Sequence, residues 1–284
     1  MRDACKGTKN ISTFATLMRN FIALFSMALA ICSCSGDGKL TVEHIGMDID
    51  SVVVDSIYNL QETDGPKCEV SLQILFFKGG KSQAINDTLL RSGLLTPDYL
   101  SLSGERIDVR QAVDSFVRRY INDYKTDFGA LYREDHEHGA SYNCAYSVKT
   151  RARSGAENVL VYVASIYTYA GGAHGINQTL VKNFDTRTGK LIRLSDIFVP
   201  GYEQSLKEQI VEKLAERFKA NGLEGLNKQD VFTDQHIYIP ENFILNNDDI
   251  TFIYCEDEIA PHAVGEIRVK IDKDDISKLL RKTA

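Results

Sequence analysis

The chain has 284 residues, 43% hydrophobic and 25% charged, a composition that excludes a disordered or fibrous protein. Its net charge of −6 leaves no basic surplus to meet phosphates, which excludes nucleic acid as a partner class. The absence of Trp and the scarcity of Pro, at five, argue against a Trp-lined sugar platform and a Pro-rich linker.

Arg2, Lys6, Lys9 and Arg19 precede or border an apolar run over residues 21–31, broken only by Ser26. A mature bilayer-spanning helix needs about 20 residues, whereas a basic start followed by a short apolar run has the pattern of a secretory signal peptide. Ile31-Cys32-Ser33-Cys34 resembles a bacterial lipobox, with a small side chain directly before the cysteine that receives lipid. We therefore expect a signal peptide over residues 1–33, lipidation at Cys34 with Cys32 as the alternative, and a polar tether over residues 34–41. Each buried acyl methylene contributes about 0.8 kcal/mol, so several chains anchor the protein to the membrane at the periplasmic or outer-membrane surface of the cell envelope. The first 33 residues carry +3, so without them the charge falls from −6 to −9.

Beyond the leader stand Cys68, Cys144 and Cys255. Three thiols allow at most one internal disulfide. Cys68 and Cys144 each open a strand-like run and could pair if those strands adjoin; buried free thiols are the alternative. No two cysteines have CxxC spacing, so a zinc site built on cysteines is not expected; no metal or other cofactor is expected.

Along the chain, Ile45, Met47 and Ile49 alternate, with Val52, Val54 and Tyr58 in nearly the same register. A turn at Asp64-Gly65-Pro66 leads to a second alternating run over 68–77, so the two predict an antiparallel pair. Over 108–128 the period changes: Val109, Val113, Phe116, Val117, Tyr120, Ile121 and Tyr124 form one helical stripe. Strands are predicted over 142–148, 159–169 and 179–184, then a helix over 202–220 with Asn221-Gly222 as its C-cap. Runs at 237–245 and 250–254 flank Asn246-Asn247-Asp248-Asp249 as a hairpin, a last strand covers 265–271, and Asp274 caps a short terminal helix. Strand runs punctuated by single helices, without regular βα alternation, predict an α+β fold of mostly antiparallel sheets.

Three segments have the residue types of chemistry. Tyr169-Ala170-Gly171-Gly172-Ala173-His174-Gly175 follows a strand but opens no helix, so a phosphate-cradling role lacks its context. We read it as a tight strand-to-strand bend that can also meet a partner. Arg133-Glu134-Asp135-His136-Glu137-His138 has metal-like composition without HExxH spacing, and reads as a solvated charged loop. Glu256-Asp257-Glu258 with His262 could serve acid–base chemistry if buried against a partner. Asn86-Asp87-Thr88 and Asn177-Gln178-Thr179 match the glycosylation sequon by chance.

Together, Ala84-Ile85-Asn86, Phe116-Val117-Arg118-Arg119-Tyr120, the loop ending Gly171-Gly172-Ala173-His174-Gly175, Leu194-Ser195-Asp196-Ile197-Phe198 and Glu258-Ile259-Ala260-Pro261-His262 resemble the RsiV/PdaC-like extracytoplasmic domain family. That family includes the ectodomain of a lysozyme-sensing anti-sigma factor and the non-catalytic part of a peptidoglycan deacetylase. The resemblance covers residues 45–280. It implies two interlocked subdomains, a PdaC-like one over 42–185 and an RsiV-like one over 186–284, without the anti-sigma segment or the deacetylase domain. The expected function is a lipid-anchored envelope binding module with no catalytic activity, its partner a basic envelope protein such as lysozyme, or peptidoglycan. Tyr169, Gly171, Gly172, His174, Glu258 and His262 are the candidate binding residues. The competing expectation is an envelope glycan hydrolase or deacetylase using His174 with nearby carboxylates.

Overall fold

The computed structural model describes residues 47–61, 65–79, 82–99, 108–233 and 236–282. The expected leader, lipid acceptor and tether lie outside these residues. The described residues belong to one compact unit.

A five-stranded sheet is ordered β1 (Asp48–Asn59), β2 (Lys67–Lys78), β3 (Cys144–Ser154), β4 (Val159–Ala170) and β5 (Ile176–Asp185). As the alternating runs predicted, β1 and β2 pair antiparallel, Val52 opposite Ile74. The joint between β2 and β3 is parallel. Parallel neighbours need a long crossover, and α1 (Ser82–Leu90) with α2 (Val109–Glu134) lies in the segment between them. Asp108 caps α2, its carboxylate accepting from the backbone N–H groups of Arg110 and Gln111 at 2.9 and 3.3 Å. The buried stripe of α2, from Val109 to Tyr124, joins Val70, Leu72, Ile74, Tyr146 and Val148 in the first core. The helix runs past the expected end at Phe128 to Glu134, because Tyr132 still packs edge-on against Tyr142. Arg133 and Glu134 are therefore helical; His138 bonds Asp135 at 2.7 Å in the turn beyond.

β4 is buried on both faces. Leu160, Tyr162, Ala164 and Ile166 enter the first core, while Val159, Val161 and Val163 enter a second with Val181 of β5. The second core is closed by α4 (Glu203–Phe218), through Leu206, Ile210 and Leu214, and by a three-stranded antiparallel sheet of β6 (Phe243–Leu245), β7 (Asp249–Tyr254) and β8 (Ile267–Asp272). Short helices α3 (Leu194–Ile197) and α5 (Gly222–Asn227) flank α4 in sequence.

Two asparagines stitch the sheets together. Asn183 of β5, 2% exposed, donates from its side-chain amide to the Phe243 carbonyl at 2.8 Å and accepts from the Leu245 N–H at 3.1 Å. Asn242 accepts from the Val181 N–H at 2.8 Å and donates to the Thr179 carbonyl at 2.6 Å.

Three local expectations change. α4 ends when Lys219 takes a left-handed φ of 51°, and Asn221-Gly222 instead opens α5. Of the run 237–245 only Phe243–Leu245 is a strand, and Pro240 before it has no N–H to donate to a ladder. The segment 274–280 forms turns rather than a helix: Leu280 bridges to Phe198, and the Val199 N–H donates to the Leu279 carbonyl at 2.8 Å. No helix among the described residues is long and apolar enough to cross a membrane.

Candidate functional site

β4 and β5 form a hairpin whose last paired residues before the turn are Thr168 and Ile176. Gly171 and Gly172 have φ of +79° and +94°, a region unfavourable for residues with a Cβ. A Cβ on Gly171 would also stand 2.2 Å from the Ser141 carbonyl oxygen, so the loop is pressed against the turn before β3. Tyr169 pins it from within, its hydroxyl donating to the Gly172 carbonyl at 3.0 Å.

The turn after β7 comes to meet this hairpin. Glu256, its carboxylate mostly covered, accepts from the Asn177 N–H at 2.6 Å and from the Asn177 side-chain amide at 3.2 Å. His174 and His262 stack with ring centroids 3.7 Å apart and planes 24° from parallel. The Nδ1 of His262 lies 3.1 Å from an Asp257 carboxylate oxygen and 3.6 Å from one of Glu256. His174 and Asp257 are exposed and His262 is half-buried, so the cluster sits at the surface.

Glu258 points elsewhere. One oxygen accepts from the Tyr238 hydroxyl at 2.5 Å and the other from the Cys255 N–H at 2.6 Å. Burial, and then the bond to Glu258, pushes the Tyr238 phenol above its ordinary range, so it stays a donor. Asp257 and Glu258, with Asp230 and Phe232, line an adjoining cavity of about 310 Å³. The Cys255 thiol donates to the Thr179 carbonyl at 3.4 Å, and burial pushes its pKa up. A thiol so held is a poor source of thiolate, the form a cysteine nucleophile needs.

The structure thus brings Tyr169, Gly171, Gly172, His174 and His262 into one surface, with Glu258 behind it as a structural acceptor. It adds Asn177, Glu256 and Asp257. Asn177 was visible only as a chance sequon; its role depends on a partner in a distant turn, for which periodicity has no signal. The other sequon asparagine, Asn86, exchanges both amide bonds with the Phe77 backbone, at 3.0 and 2.9 Å. Among the described residues no group of three or more His, Cys, Asp or Glu side chains is arranged to hold a metal ion.

No curated protein matches the chain significantly. The chain is similar over 84% of its length to a solved DUF3298-family protein from Bacteroides fragilis, at 25% identity, TM-score 0.73 and 94% coverage of that protein. A DUF3298-family protein from Pseudomonas aeruginosa shares the fold at 16% identity and TM-score 0.61, covering 83% of this chain and 94% of its own. Residues 195–274, from α3 to just past β8, match DUF3298, a protein family of unknown function.

Proposed function

We propose that the chain is a lipid-anchored, extracytoplasmic binding module, held at the envelope through Cys34 and without catalysis of its own. Its ligand is a basic, lysozyme-like protein. The observation that carries this reading is how the candidate groups are engaged. Both oxygens of Glu258 accept hydrogen bonds, the Cys255 thiol is tied to a carbonyl, and the two imidazoles lie against each other at an exposed edge. Such a surface offers charge and shape, with no activated nucleophile. The acidity of the chain, −9 without its first 33 residues, supports a basic partner through steering of the encounter. The resemblance to a lysozyme-sensing ectodomain points the same way, as an analogy of fold.

The full chain in detergent, titrated with lysozyme, is expected to bind with an association rate that falls steeply between about 0.1 and 1 M salt, as the Debye length shrinks from about 10 to about 3 Å. Asp257→Asn is expected to slow association at low salt and change nothing at high salt. Absence of binding at low salt would overturn the proposed partner. Release of acetate or glycan fragments from peptidoglycan, abolished in His174→Ala, would make the chain an enzyme.

A further inference from the structure

β2 and β3 are aligned so that Cys68 stands directly opposite Cys144, at the start of the parallel joint. Paired residues of parallel strands point to the same face, and neighbouring strands lie about 4.8 Å apart. That spacing falls inside the Cα separation a disulfide accepts, about 4.4–6.8 Å. The two side chains are 0% and 6% exposed and belong to the first core. Both are buried free thiols in the structure, set side by side by the register of the two strands. The third cysteine, Cys255, is committed to Thr179 and Asn242 between the two sheets.

We propose that Cys68 and Cys144 form a disulfide in the mature protein, tying β2 to β3 across the ends of the helical crossover. The proposal rests on the envelope reading above, since disulfides form and persist in oxidising compartments. Two S–H bonds break and one S–S bond forms. The two electrons and two protons pass to the disulfide of an envelope thiol oxidase, which is reduced to its dithiol through a mixed-disulfide intermediate. The burial of both sulfurs places this exchange before α2 closes over the sheet. After closure no reductant thiolate reaches them, so the bond is a staple and not a switch. It closes a loop containing α1 and α2, the part of the first core with the longest connection.

The test is peptide mapping under non-reducing conditions on the full chain in two forms. One is extracted from the envelope of cells; the other is reduced, unfolded and refolded in a glutathione redox buffer. We expect a peptide pair joining Cys68 to Cys144 in both, unchanged in Cys255→Ala. The chain unfolded, reduced and refolded without oxidant is expected to melt about 5–15 °C below the chain that carries the bond, a difference absent from the double variant Cys68→Ala/Cys144→Ala. Free Cys68 and Cys144 thiols in both preparations would overturn the proposed bond. Pairing in the refolded chain with free thiols in the cell-derived chain would overturn the envelope reading, and with it the bond's presence in the mature protein.

Discussion

Asn183→Ala tests whether the two sheets are held together by specific polar bonds or by apolar burial alone. Asn183 is 2% exposed, and its amide satisfies the Phe243 carbonyl at 2.8 Å and the Leu245 N–H at 3.1 Å. Truncation removes both partners and leaves two backbone groups where β5 meets β6. A buried polar group without its bond costs about 1–3 kcal/mol, so two predict a loss of about 2–6 kcal/mol. For a chain of this size that is a fall in Tm of roughly 5–15 °C. Urea unfolding monitored by tyrosine fluorescence, with the slope m unchanged, reads the difference directly. Asn177→Ala, on the exposed edge of the same strand, is the control and should cost less. A loss below about 0.5 kcal/mol for Asn183→Ala would show that water or relaxed backbone replaces the stitch, and the reasoning would fail.

In the glycine loop, Gly172→Ala places a Cβ in open space at φ +94° and should cost about 1 kcal/mol. Gly171→Ala should cost more in thermal melts, because its methyl would meet the Ser141 carbonyl. The Lys78 ammonium, the Ser51 N–H and the Arg110 guanidinium hold the Asp50 carboxyl down at about 2. A depressed carboxyl stabilises above its unfolded pKa of about 4 and loses that contribution as pH falls toward 2. The difference in urea midpoint between the wild type and Asp50→Asn should therefore shrink through that window, and a constant difference would refute the assignment. Labelled palmitate should enter the wild-type chain and be lost in Cys34→Ala; loss in Cys32→Ala alone would move the acceptor.

Local signals in the sequence determined much of the fold. Alternation in β1 and β2, the stripe of α2, the spacing of Leu206, Ile210 and Leu214 in α4, and the polar hairpin at Asn246 were all legible, because each depends on neighbours within a turn or two of chain. The same locality explains the misses. A capping signal at Asn221-Gly222 and a helical pattern over 274–280 are short: Lys219 took the left-handed cap before Asn221, and the bridge from Leu280 to Phe198 outweighed the helical pattern. Only the folded chain decided that β2 and β3 run parallel, which sets Cys68 against Cys144. It alone set Glu256 against Asn177 and stacked His174 on His262. Periodicity records which face of an element is apolar, but which distant element covers that face follows from burying both sides of β4 at once. The partners that compose the site are consequences of that packing.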